Sequence, residues 1–86
     1  GLTRRWFNPG RLFQHQQVLE GVCRDLSANG MGVEVNEHGF DLAQPIRVSL
    51  ATSSNLLPPF EAQARIVRVL EEEGGLLLAL EFLPLT

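Results

Sequence analysis

The chain has 86 residues, 44% of them apolar, enough for one small folded domain with little room for a second core. Its net charge of −3 argues against a general nucleic-acid binder, because affinity for a duplex backbone needs a basic surface. No apolar run approaches the roughly 20 residues of a membrane span, no segment reads as a secretory leader, and the lone Cys23 cannot form an internal disulfide, which fits a reducing compartment.

Residues 1–15 read as an irregular, flexible arm. Arg4 and Arg5 stand directly before Trp6 and Phe7, whose simplest role is to pin the arm to the domain. The turn signal Asn8-Pro9-Gly10 then breaks any helical or strand period. Residues 1–19 carry Arg4, Arg5 and Arg11 with no carboxylate, so all ten acidic residues lie further on. All seven basic residues are Arg, the side chain suited to bidentate contact with phosphate or guanine and to stacking on bases. Coding bias would explain the missing Lys equally well, so the weight falls on the uneven distribution.

Residues 16–86 read as one β domain. The stretch from about Gln17 to Leu26 favours a strand, and Ser27-Ala28-Asn29-Gly30 makes a turn. Met31, Val33 and Val35 then alternate with Gly32, Glu34 and Asn36, a half-buried strand of period two. After the Glu37-His38-Gly39 turn, Ile46, Val48 and Leu50 alternate with Arg47 and Ser49. Residues 52–59 form a loop, with Pro58 and Pro59 excluding a helix. The fourth strand, Glu61 to Leu70, slips in parity: Ala62, Ala64 and Ile66 share one face and Val67 and Val69 the other. A bulge near Arg65, or burial on both faces, explains such a slip. Glu71 to Gly75 is a hairpin loop, and Leu76, Leu78, Leu80 and Phe82 form one side of a last strand ended by Pro84. The pattern is all-β, and closure into a small antiparallel barrel removes exposed strand edges.

Little in this chain points to catalysis. Asp25, Ser27 and a His could be drawn as a triad, but geometry defines a triad and residue types do not. Cys23, His15 and His38 have no metal-ligand spacing. The Glu71–Glu73 run is a solvated loop that keeps an apolar hairpin soluble. Asp25-Leu26-Ser27-Ala28-Asn29-Gly30 is the stretch with the most chemistry. Taken alone it reads first as a structural turn, with Asp and Ser bonding to nearby backbone and Gly30 supplying positive φ. Near guanidinium groups, its carboxylate is equally suited to a purine edge.

The order of these features resembles the PilZ domain, a bacterial receptor module for cyclic di-GMP. Arg4-Arg5 stand where that family carries an Arg-rich leader, Asp25-x-Ser27-x-x-Gly30 matches its Asp/Asn-x-Ser-x-x-Gly motif, and Met31-Gly32-Val33, Arg65 to Val69 and Leu76 to Phe82 resemble its later strands. The family's Arg-x-x-x-Arg is not intact, since Asn8 and Pro9 stand four residues past Arg4 and Arg5. Two explanations stay open. The family spaces the motif's last Arg about twenty residues before the Asp, which is the interval from Arg5 to Asp25, so a partner Arg could precede Gly1. Alternatively the motif is degenerate and Arg11 is a poor substitute.

The resemblance implies a five- to six-stranded antiparallel barrel with no catalytic, metal or cofactor role of its own. It implies cyclic di-GMP held by Arg4, Arg5, Asp25, Ser27 and Gly30. Arg4 and Arg5 would take phosphate and guanine O6/N7 or stack on a base, and Asp25 would accept from guanine N1–H and N2–H. Ser27 would bond a phosphate or base edge, and Gly30 would allow close backbone approach. It also implies a cytoplasmic regulatory module, with no DNA or RNA partner and no membrane insertion of its own. The module would relay ligand level to a fused or neighbouring catalytic domain, with a cellulose-synthase-type glycosyltransferase of the inner membrane as the first candidate. Gly1 in place of Met and the Leu83-Pro84-Leu85 ending fit a module from a larger chain. A degenerate barrel acting as a protein adaptor through the Leu56 to Phe60 loop is the alternative.

Overall fold

The alternating segments become strands because each buries one face and exposes the other. The computed structural model describes residues 8–50 and 60–84. Its elements are β1 (Asn8–Gln14), β2 (Gln17–Leu26), β3 (Gly30–Val35), β4 (Ile46–Leu50), β5 (Phe60–Glu72) and β6 (Gly75–Phe82). They close into a barrel in the order β1-β2-β3-β6-β5-β4, every neighbouring pair antiparallel. The fold is therefore the small all-β barrel that the alternation and the resemblance called for.

Inward positions build the core. Leu12, Val33, Val48 and Leu78 are its most deeply buried large side chains, joined by Met31, Val35, Ile46, Leu50, Ile66 and Leu80. The connection between β3 and β4 brings Phe40 into this core. Gln14, the one buried polar residue among those described, fastens the same connection. Its amide nitrogen donates to the Asp41 carbonyl at 2.8 Å, and its amide oxygen accepts from the Asp41 N–H at 2.7 Å. With both ends of the amide bonded, the inward glutamine carries no unmet desolvation penalty.

One expectation needs correction. The stretch 8–14, read above as part of an irregular arm, is strand β1, which pairs with β2 from Asn8–Cys23 to Gln14–Gln17 and with β4 from Gly10–Leu50 to Phe13–Arg47. Pro9 and Gly10 mark a crowded strand start and not a turn. Pro9 lies ahead of the first β4 pair, a strand position that tolerates a missing N–H. A Cβ on Gly10 would meet Leu50 Cδ2 at 2.9 Å, so glycine there leaves room for a core leucine. Residues 1–7, including Arg4, Arg5, Trp6 and Phe7, lie outside the described residues, as does the loop 51–59.

Because the strands run alternately up and down, one end of the barrel gathers the start of β1, the β2–β3 turn, the end of β4, the start of β5 and the end of β6. Asn8, where the leader joins the barrel, is opposite Cys23, two residues before Asp25. Among the described residues no helix is long and apolar enough to cross a membrane.

Candidate functional site

The β2–β3 turn is organised by the Ser27 hydroxyl. Ser27 Oγ accepts from the backbone N–H groups of Asn29 at 3.3 Å and Gly30 at 3.2 Å, and it donates to the Gly30 carbonyl at 3.3 Å. The Ser27 N–H also donates to that carbonyl, at 2.9 Å, and the Phe82 N–H donates to the Asn29 carbonyl at 2.8 Å, tying the turn to β6. The structural role of Ser27 is thus present in full. Gly30 does not supply positive φ: among the described glycines only Gly74 has it. Gly30 is small because it presses against β6, where a Cβ would collide with the Leu80 carbonyl oxygen.

Asp25 owes its direction to a bulge. β2 and β3 pair as Cys23–Val33 and then Asp25–Gly32, leaving Arg24 extra. Without that insertion Asp25 would share the parity of the buried Cys23; with it, Asp25 joins the outer face. Its carboxylate lies over Gly32, where a Cβ would come within 2.9 Å of Oδ2. Asp25 is exposed, and no side chain or backbone group among those described donates to its carboxylate or forms an ion pair with it. Only its backbone carbonyl is engaged, by the Cys23 thiol at 3.2 Å. Burial, with the nearby Asp25 charge second, pushes that thiol above its ordinary pKa, although its hydrogen bond to the Asp25 backbone partly opposes the rise.

A second bulge mirrors the first. β5 and β6 pair as Ile66–Leu80 and then Arg68–Ala79, leaving Val67 extra and half-exposed. Ile66 stays in the core and Arg68 turns outward. Register then runs across four strands on the outer face: Asp25 pairs with Gly32, Gly32 with Ala79 and Ala79 with Arg68. The neighbouring row runs Gly30, Glu81, Arg65. Two small residues, Gly32 and Ala79, make a low floor with a carboxylate on one side and guanidinium groups on the other. Sequence reasoning assigned no role to Arg65 and Arg68. The parity slip in β5 was the signal that could have found Arg68, and the bulge sits at Val67, two residues past the expected Arg65.

A groove elsewhere on the barrel has the wrong charge for an anion. It encloses about 700 Å³ between β1–β2–β3 and the β5–β6 turn, lined in part by Arg11, Glu20, Glu34, Glu72 and Glu73. Arg24 reaches into this acidic surface and bonds Glu72 at 2.8 Å and Glu34 at 3.0 Å. Arg11 lies 3.9 Å from Glu20. Four carboxylates against two partly occupied guanidiniums repel phosphate. Among the described residues no three His, Cys, Asp or Glu side chains cluster as a metal site.

Of the residues singled out from sequence, the structure brings Asp25, Ser27 and Gly30 together on the β2–β3 corner; Arg4 and Arg5 lie outside the described residues. The PilZ domain matches residues 8–86, nearly the whole chain. The chain belongs to the PilZ family. PilZ domains are regulatory binding modules for cyclic di-GMP, not catalytic ones. Comparison with curated proteins gives no match.

Proposed function

We propose that this PilZ domain binds cyclic di-GMP on the outer face of β2, β3 and β6 and passes the ligand's presence to a fused or neighbouring catalytic domain, a glycosyltransferase making an exopolysaccharide such as cellulose. The observation that carries the binding site is the Asp25 carboxylate, turned outward by a bulge and laid over Gly32 with both oxygens unused by the described residues. A guanine offers N1–H and N2–H side by side, a pair of donors that fits the two oxygens of one carboxylate.

The rest of the site follows from the corner. Ser27 sets the turn and can redirect its hydroxyl proton from the Gly30 carbonyl to a phosphate oxygen. Gly30 keeps the turn low against β6. Arg4 and Arg5 precede Asn8, whose partner Cys23 is two residues from Asp25, so a leader of this length reaches the ligand with its guanidiniums on phosphate or guanine. A leader that orders on the ligand loses entropy on binding and changes what it touches, which makes the leader the switch. Cyclic di-GMP places the domain in the cytoplasm, attached to an inner-membrane enzyme in the cellulose case.

Calorimetric titration with cyclic di-GMP tests this. Saturable heat that disappears in Arg4→Ala with Arg5→Ala supports the site; no heat at high micromolar ligand removes it. A second reading, a ligand-free protein adaptor, draws on the exposed Leu26 and Phe60, 54% and 40% accessible at the same end of the barrel. It requires that the double Arg variant keeps full regulatory activity while Leu57→Asp or Phe60→Asp loses it.

A further inference from the structure

We propose that Arg68, with Arg65 beside it, forms the second wall of the ligand surface, so that the β5 bulge at Val67 supplies cationic groups facing Asp25. The proposal rests on the cyclic di-GMP reading above and adds residues to it that lie outside both sequence motifs.

Three observations converge. The first is register. Arg68 stands in the same cross-strand row as Asp25, with only Gly32 and Ala79 between them. Three strand spacings of about 4.8 Å separate the two backbones, a span of about 14 Å before either side chain leans inward. The long Arg68 stem and the low floor leave a shelf of dinucleotide width.

The second is aim. Both flanking strands break their ladders at this row and nowhere else in the described barrel. Each bulge moves a charged residue from inward to outward parity: Asp25 after Arg24, and Arg68 after Val67. Without the β5 bulge Arg68 would point at the core beside Ile66, a position no guanidinium could hold unpaired. Bulges gather beside functional sites because they re-aim side chains in this way.

The third is availability. Among the described arginines, Arg11 faces Glu20, Arg24 is held by Glu34 and Glu72, and Arg47 stacks on the Phe13 ring at 4.6 Å. Arg65 and Arg68 are exposed and make no ion pair or ring contact among the described residues, although Arg65 is directly opposite Glu81. Arg68, over the small Ala79, and Arg65, unengaged beside Glu81, suit an oxyanion or a base face. They also offset a leader whose Arg-x-x-x-Arg spacing is incomplete within this chain.

The test is titration of cyclic di-GMP into wild type, Arg68→Ala, Arg65→Ala with Arg68→Ala, Ala79→Glu and Arg47→Ala, with melting curves for each. Arg68→Ala weakens binding about tenfold or more, the double variant weakens it further, and Ala79→Glu, which puts a carboxylate on the floor, abolishes it. Arg47→Ala, on β4 and three strands round the barrel from β3, binds as wild type. All are surface changes, so melting temperatures stay close to wild type. Wild-type affinity in both Arg68→Ala and Ala79→Glu overturns this inference and leaves the Asp25 site standing. Absence of binding by wild type itself overturns both.

Discussion

Two parts of the barrel's outer surface carry charge, and they use it in opposite ways. Beside the β5–β6 turn, Glu20, Glu34, Glu72 and Glu73 line a groove of about 700 Å³, and Arg11 and Arg24 are drawn into pairs with them. Across β2, β3, β6 and β5, by contrast, Asp25, Arg65 and Arg68 face solvent with no partner among the described residues. Volume marks the first region and unmet hydrogen-bonding capacity marks the second. For an anionic dinucleotide the second criterion decides, because a cavity lined by carboxylates rejects phosphate however large it is.

The sharpest way to break this contrast is to remove one carboxylate from each region. Asp25→Ala lowers affinity for cyclic di-GMP by roughly ten- to a hundredfold, the loss expected for charged hydrogen bonds, whereas Glu73→Ala leaves it unchanged. Equal effects would mean that the ligand bridges both regions.

Gly30→Ala comes next, and it acts on the fold. The new methyl must displace the Leu80 carbonyl, so unfolding in urea shows a loss of about 1–3 kcal/mol, with cyclic di-GMP affinity falling as well. A neutral result would show that β6 yields easily at this corner. Ser27→Ala removes an acceptor from two backbone N–H groups and lowers stability by about 1 kcal/mol.

Arg24→Met is smaller. Both of its ion pairs are about one-third exposed, so solvent screening holds the loss below about 1 kcal/mol, and added salt shrinks it further. The least effect is at Cys23. Its folded-state pKa is raised, so the folded protein holds the thiol proton more tightly than the unfolded chain. That contribution is complete below the ordinary thiol pKa and is lost as pH rises through the folded one. Urea midpoints therefore fall at alkaline pH in wild type, and Cys23→Ala flattens that part of the profile.

Most of the barrel was legible in sequence because β2 to β6 alternate apolar and polar residues or are punctuated by Gly, Pro and Asn. β1 was not, since its inward positions are Gly10, Leu12 and Gln14: one lacks a side chain and one is a polar residue whose partners, Asp41 and Gln44, lie on a distant connection. The bulge in β5 left a trace, as Ile66, Val67 and Val69 cannot share one face of a regular strand. The bulge in β2 left none. Cys23, Arg24, Asp25 and Leu26 fit a regular strand equally well, and only the pairing with β3 shows which way Asp25 turns. The corner motif was therefore visible as a string of residues, while the surface it belongs to depends on register across four strands.

The most direct measurement is the backbone amide spectrum of the isotope-labelled domain during titration with cyclic di-GMP. Gly32 and Ala79, the floor between Asp25 and Arg68, move together with Ser27 and Gly30, while Gly21 and Gly74 in the acidic groove stay in place. Shifts confined to Gly21, Gly74 and Leu76, with Gly32 and Ala79 unmoved, would contradict the account.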